Sequence, residues 1–211
     1  MATSGTTTFD LNIDDIIEEA YERCGVRTNS GYDLKSARRS LNILFSEWGN
    51  RGVHLWKVHL QEQTLTAGTR TYTAPTDAND ILEAYISTTT AVTTATNEVS
   101  LTKISRSEYA ALPNKGSQGQ PSQYYVDRQT VPTITLYQTP DATTYTHLKY
   151  YYLKRIQDAG NYTNQADVVF RFIPCMVAGL AYYLSLKRAP QLVQQNKMLY
   201  EDELNRALTE D

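Results

Sequence analysis

The hydrophobic period of this chain changes twice, and that change limits the folds open to it more than any motif does. Near both ends apolar residues recur every three to four positions; between the ends they alternate. Ile13, Ile16, Ile17, Ala20, Tyr21 and Cys24 fall at i, i+3, i+4, i+7, i+8 and i+11, which is one stripe of an amphipathic helix. Asn12 stands where it can cap that helix, Asp14 and Asp15 suit its positive end, and Gly25 occupies the place of a left-handed C′ residue. A second stripe, Leu34, Ala37, Leu41, Leu44, Phe45 and Trp48, predicts a helix over 34–48 with Asp33 as N-cap and a stop at 49–52. Lys35, Arg38 and Arg39 gather on its other face, either as a solvated surface or as a contact for an acidic partner or DNA. Val169, Phe172, Ile173, Met176, Val177, Leu180, Ala181 and Leu184 predict a helix over 168–186 with Asp167 as N-cap. Pro174 either kinks it or marks an irregular first turn, the regular helix then starting near Ile173. Pro190 opens a last helix, in which Leu192, Val193, Leu199, Tyr200, Leu204, Ala207 and Leu208 repeat and whose end is acidic.

The middle reads as strand. Residues 53–66 carry a half-buried alternation, 67–68 a turn signal, and 70–73 a short return strand. Strands are also predicted over 81–90, where Ile81, Leu82 and Tyr85 could instead begin a helix, and over 98–103. Residues 88–96 are almost all Thr and Ala, a hairpin tip or mobile loop. Ser105 and Glu108 have capping-box spacing and open a short helix toward Leu112. A Gly-, Ser- and Gln-rich loop over 113–121 follows. Residues 122–128 and 133–138 form the clearest hairpin, with Tyr124 and Val126 on one face of the first strand and Ile134 and Leu136 on one face of the second. Residues 146–156 make a long strand with both faces partly apolar, one for the core and the other for contact.

No Pro- or Gly-rich linker separates two cores, and the first two helices have too little apolar surface to stand alone. The expected fold is therefore α+β: N- and C-terminal helix pairs join as a four-helix bundle, and an antiparallel β region is inserted between them. The boundaries fall at 1–52 with 165–211 for the helical domain and 53–164 for the inserted β-rich domain. A length of 211 residues suits this organisation. A mean hydropathy of −0.48 and the lack of an apolar run near 18 residues place the chain among soluble globular proteins without a membrane span. Residues 1–8 lack the basic and apolar regions of a signal peptide and read as a flexible arm.

The function classes narrow by what is missing. No G-x-S-x-G occurs, and Cys24 and Cys175 form no C-x-x-C pair. Both cysteines lie on apolar stripes and are expected as buried free thiols in a reducing cytoplasm. His54, His59 and His147 have no zinc-pair spacing and read as structural or surface residues. No Gly-rich loop precedes a helix, so neither nucleotide nor any other cofactor is expected. The carboxylates Asp14, Asp15, Glu18, Glu19 and Glu22 lie on the polar side of the first helix and read as solvated. A net charge of −3 argues against long-range attraction to DNA or an anionic membrane. Tyr is abundant, with 16 residues against 4 Phe, as suits a sheet face or an extensive protein interface.

A set of segments in fixed order carries a resemblance. Tyr21-Glu-Arg-Cys-Gly-Val26 and Leu44-Phe-Ser-Glu-Trp48-Gly-Asn-Arg-Gly52 end the first two helices, and His54-Leu-Trp56 begins a strand. Pro121-Ser-Gln-Tyr-Tyr125 and Ile134-Thr-Leu-Tyr137 follow, then Phe170-Arg-Phe-Ile-Pro174 and Ala178-Gly-Leu-Ala-Tyr-Tyr183. Over nearly its whole length the chain resembles the head-to-tail adaptor proteins of short-tailed bacteriophages, of the tail tubular protein A or portal-accessory type. The resemblance implies a structural virion protein rather than an enzyme. Such a protein is made in the host bacterial cytoplasm and assembles as a ring, usually of twelve copies, below the portal protein. The ring links capsid to tail, extends the channel through which packaged DNA passes without sequence readout, and carries a downstream nozzle protein or tail fibres. In that family the helical domain frames the channel, the C-terminal segment meets the portal, and the β insertion faces the tail.

Carried over to this chain, the portal-contact candidates are Asn196, Tyr200, Leu204 and Leu208. The candidates for contact with other subunits or tail parts are Tyr124, Tyr125, Tyr137, Tyr150, Tyr151 and Tyr152. The middle is longer and richer in β than compact adaptors need. Two other readings compete: a carbohydrate- or receptor-binding tail module stacking sugars on Tyr, and a peptidoglycan hydrolase using Glu18 or Glu22.

Overall fold

The computed structural model describes residues 5, 9, 11–27, 30–51, 55–88 and 97–209. Most of the expected arm at 1–8, His54 and nearly all of the Thr-rich stretch at 88–96 lie outside these residues. Among the described residues the helices are α1 (Ile13–Arg23), α2 (Gly31–Arg51), α3 (Arg106–Ala111), α4 (Ile173–Arg188) and α5 (Val193–Thr209). The strands are β1 (Val58–Thr64), β2 (Thr71–Thr73), β3 (Ala78–Ser87), β4 (Glu98–Ser100), β5 (Thr102–Ile104), β6 (Gln118–Gly119), β7 (Gln123–Asp127), β8 (Thr133–Tyr137), β9 (Thr139–Pro140) and β10 (His147–Lys154). The fold is mixed α+β. Contacts divide the chain into two units, Met1–Trp56 with Ile156–Asp211, and Lys57–Arg155.

In the helical unit α4 packs against α1, α2 and α5. Every residue from Cys175 to Ala181 is buried, so α4 is apolar around most of its circumference, as an internal helix must be. A single 3-10 turn, Phe170–Phe172, leads into it, and Pro174 sits in the first turn, where its missing N–H costs nothing. The irregular-start reading of Pro174 therefore holds. Asp167 does not cap this helix; Phe172 holds the N-cap position. The Asp167 carboxylate instead accepts the Gln157 backbone N–H at 3.2 Å.

The expected stripe of α1 is buried as written, Gly25 has φ of 67°, and the Asn12 N–H donates to Asp15 at 3.0 Å. The segment after β10 finishes this cap. Ile13 and Asp14 donate to the carbonyls of Asn164 and Tyr162, which satisfies two of the donors a helix start leaves open. The same segment is held by α2, where Asn42 accepts the Ala159 N–H at 2.8 Å and Arg38 donates to the Gly160 carbonyl at 2.9 Å. Helix α2 starts earlier than its stripe suggested. Asp33 lies inside the first turn, not at the cap, and its N–H reaches Ser30 Oγ at 3.4 Å. Buried there, Asp33 pairs with Arg188 of α4.

The second unit holds two four-stranded sheets, ordered β1-β10-β3-β4 and β2-β8-β7-β5. They share one core that includes Ile81, Ile86, Tyr124, Ile134, Leu136, Leu148 and Tyr150. The hairpin is confirmed: Tyr124 opposes Leu136 and Val126 opposes Ile134. Three expectations need correction. Residues 98–103 are not one strand. The chain breaks at buried Leu101, β4 pairing with β3 in the first sheet and β5 with β7 in the second. The β5–β7 and β6–β9 pairs are parallel, so the insertion is not purely antiparallel. Nor is the described start of the 53–66 segment strand; β1 begins only at Val58. Leu55–Lys57 is a 3-10 turn, and the Trp56 ring packs against Phe172 at a tilt, with centroids 4.7 Å apart, a contact inside the helical unit.

Strand β10 lies inside its sheet, between β1 and β3. Leu148, Tyr150 and Tyr152 face the core. On the opposite side Lys149 is buried and its ammonium pairs with Glu98 at 2.8 Å, while Tyr151 is 39% exposed. Tyr150 is fully buried, and its hydroxyl finds no hydrogen-bond partner among the described residues. A buried unpaired hydroxyl costs on the order of 1–3 kcal/mol.

Three outcomes follow from this packing. Both tryptophans, Trp48 and Trp56, belong to the helical unit, so their fluorescence reports its unfolding. A Cβ on Gly179 of α4 would stand 2.9 Å from both Leu44 and Tyr200. Gly179→Ala is therefore expected to lower the stability read by that fluorescence by about 1–3 kcal/mol, despite alanine's advantage of about 1 kcal/mol in a helix. Tyr150→Phe should raise protection against amide exchange in β3 and β10 by up to about 1 kcal/mol, and a loss of protection would mean the hydroxyl is satisfied. Burial pushes the Cys175 thiol up to about 12 and raises that of Cys24. Neither cysteine should react with a thiol reagent at pH 8 until the chain is denatured.

Candidate interaction surfaces

Helix α5 turns one stripe inward. Asn196, Tyr200 and Leu204, four residues apart, are all buried. Asn196 donates toward the Ala181 carbonyl at 3.5 Å, the same oxygen that receives the Cys24 thiol at 3.3 Å. Leu208, one turn further on, is 37% exposed. Of the four C-terminal candidates only Leu208 offers its side chain to a partner; the other three bind α5 to its own unit. The outward side of α5 shows Met198 and Leu199, both strongly exposed, and neither was among the candidates.

Tyr200 belongs to a polar knot that ties three helices. Its hydroxyl accepts the Trp48 indole N–H at 3.0 Å and lies 3.4 Å from the Glu47 carboxylate. Its ring stacks on Tyr182 with centroids 6.2 Å apart. Glu47 also accepts the Tyr183 hydroxyl at 2.9 Å and pairs with Arg51 at 2.6 Å. Arg51 then crosses to Glu201 of α5 at 3.0 Å. Burial, followed by the hydrogen bond to Glu47, pushes the Tyr183 phenol up to about 12. Burial raises Tyr200 as well, with Glu47 adding to it. These phenols stay neutral donors across the physiological range, as a structural link requires.

The six candidate tyrosines of the β unit divide by face. Tyr124, Tyr150 and Tyr152 are core residues; Tyr124 donates to the Leu82 carbonyl at 3.2 Å, and burial pushes its phenol up to about 12. Tyr125 and Tyr137 are half-buried. Tyr125 stacks on Tyr109 of α3 at 5.7 Å, with the Lys115 ammonium 5.4 Å over the Tyr109 ring. Tyr151 is exposed and meets Tyr85 edge-on at 6.5 Å. The surfaces open to a partner are thus the Tyr151–Tyr85 pair and the Tyr125–Tyr109–Lys115 cluster. The structure does not bring the six candidates to one face.

The carboxylates of α1 are solvent-facing. Glu18 and Glu22 line an open groove with Leu11, Asp15, Pro174 and Val177. A stacked pair, Phe9 and Phe170, 6.0 Å apart and both exposed, lies close by and shares Leu11 and Ile173 with it. Of the expected basic cluster, Lys35 and Arg39 point outward while Arg38 turns in, over the Tyr162 ring at 5.7 Å. Among the described residues no group of three or more His, Cys, Asp and Glu side chains could hold a metal ion. His59 is exposed and His147 bonds Thr146. No described helix is long and apolar enough to cross a membrane.

Among the described residues the exposed large apolar side chains lie on helix exteriors at Tyr32, Ile43, Leu186, Met198, Leu199 and Leu208, on strands at Leu82 and Tyr151, ahead of α1 at Phe9 and Leu11, and ahead of α4 at Phe170. No curated protein matches the chain. A family model described as SU10 adaptor protein matches residues 7–211; the chain belongs to the SU10 adaptor protein family, which is consistent with a phage head-to-tail adaptor.

Proposed function

We propose that this chain is a structural component of the head-to-tail junction, forming a ring below the portal that links capsid to tail and extends the DNA channel. Membership of the adaptor family carries the reading. The twofold division of the chain supports it, with the helices acting as a bundle that joins ring and portal and the β unit offering its exposed tyrosines to the next tail component. It acts by contact, not turnover. A net charge of −3 suits a channel in which DNA must slide, since each phosphate neutralised by Lys or Arg adds grip. Twelve copies is the number we assign to the ring. A ring needs one surface that meets a different surface of the next copy, and it needs an anchor on the portal.

The C-terminal helix is the proposed anchor. Its contact comes from Met198, Leu199 and Leu208, because Asn196, Tyr200 and Leu204 are occupied within the unit. Removing 197–211 would take Tyr200 and Leu204 out of the core as well, so an exposed double substitution is the cleaner probe. In native mass measurements the wild-type chain should add several copies to an isolated portal ring. Met198→Asp with Leu199→Asp should weaken that binding at least ~30-fold, about 2 kcal/mol, with circular dichroism unchanged. Equal binding by the variant would remove α5 as the anchor; no binding by the wild type would remove the portal reading.

A further inference from the structure

We propose that the groove between α1 and α4 is the socket for a second copy of this chain, filled by the outward stripe of that copy's α2. This rests on the ring reading above and names its interface.

The groove has an open volume of about 640 Å³, within the range of sites that hold ligand-sized groups. Its floor is apolar, with Leu11, Pro174 and Val177, and one wall is acidic, with Asp15, Glu18 and Glu22 at i, i+3 and i+7 along α1. Glu19 and Arg23 also line the groove but are paired with each other at 2.9 Å, whereas among the described residues Glu18 and Glu22 make no ion pair. Two unpaired carboxylates four positions apart repel each other mildly within the isolated chain.

The outward stripe of α2 is the counterpart. Tyr32, Lys35, Arg39 and Ile43 fall at i, i+3, i+7 and i+11, and all are exposed, Tyr32 by 64% and Ile43 by 54%. Large apolar groups thus bracket two cations that have no ion-pair partner among the described residues. Lys35 and Arg39 stand four positions apart, as Glu18 and Glu22 do, so each pair spans about 6 Å of helix. Two cations at the spacing of two anions, with apolar groups on both surfaces, give charge and shape reasons for the two faces to meet. Both belong to the helical unit and are different surfaces. Their contact is therefore heterologous, each copy giving one face and receiving the other, the arrangement from which closed rings are built.

The test uses the full chain at high concentration and low salt, with oligomeric state read by sedimentation velocity and native mass spectrometry. The wild type should associate, and association should fall as salt rises. Glu18→Lys with Glu22→Lys, and separately Lys35→Glu with Arg39→Glu, should each lower the association constant roughly hundredfold, since like charges then face each other. Mixing the two reversed variants should restore assembly with strictly alternating copies, because each then meets an opposite charge only on the other. That rescue also shows that neither variant merely misfolds. If wild-type rings form and both reversals leave them unchanged, this interface is wrong and the ring stands. If reversal of the groove alone weakens association and mixing fails to restore it, the α2 face is not the partner. If the wild type associates at no salt concentration, this interface falls, while the ring reading is decided separately by whether copies add to a portal ring.

Discussion

At Gly179 the backbone of α4 comes so close to Leu44 of α2 and Tyr200 of α5 that any side chain there would overlap both. The rest of the helical unit depends on that approach. It brings the Tyr200 hydroxyl within reach of the Trp48 indole and the Glu47 carboxylate, and through Glu47 it recruits Arg51 and Tyr183. Close packing supplies the dispersion and burial terms. The polar knot fixes which turn of α5 meets which turn of α2. Apolar stripes alone tolerate sliding, whereas a buried donor and acceptor tolerate very little, because a slip leaves both unsatisfied.

Much of this architecture was legible in the residue order. The stripes of α1 and α2, the capping box at Ser105, the hairpin at Tyr124 and Ile134, and Pro174 near the start of a helix all follow from local physics that acts over a few residues. The errors share a cause. Residues 98–103 alternate like one strand, yet Leu101 is claimed by the common core of two sheets, and no local signal shows where a chain changes sheet. Asp33 and Asp167 have the chemistry of caps, but long-range partners, Arg188 and the Gln157 N–H, have prior claims on them. Trp56 has strand propensity, yet it lies in a 3-10 turn and meets Phe172, more than a hundred positions away in sequence.

The interaction surfaces were harder to read, for a physical reason. Helical periodicity makes a residue visible because it is the signature of burial. Asn196, Tyr200 and Leu204 stood out through that spacing, and the same spacing turns them inward. Residues free to meet a partner fall off the stripe, as Ile43, Met198 and Leu11 do. In a sequence they look like isolated apolar exceptions on polar faces. Large apolar side chains out of phase with their own helix are the available signal, and Tyr32 and Ile43 flanking Lys35 and Arg39 are the clearest case.

The helical unit is assembled from chain on both sides of the β unit, 1–56 and 156–211, whereas the β unit is one uninterrupted stretch. During synthesis the sandwich can therefore close first, as domains that are continuous in sequence generally do. Helices α1 and α2 must wait, their apolar stripes uncovered, until α4 leaves the ribosome. The helix on which α1, α2 and α5 all pack is thus made after the whole β unit, so the groove between α1 and α4 exists only once α4 has been made. Under the ring reading proposed above, this timing built into chain topology keeps copies from joining their neighbours too early.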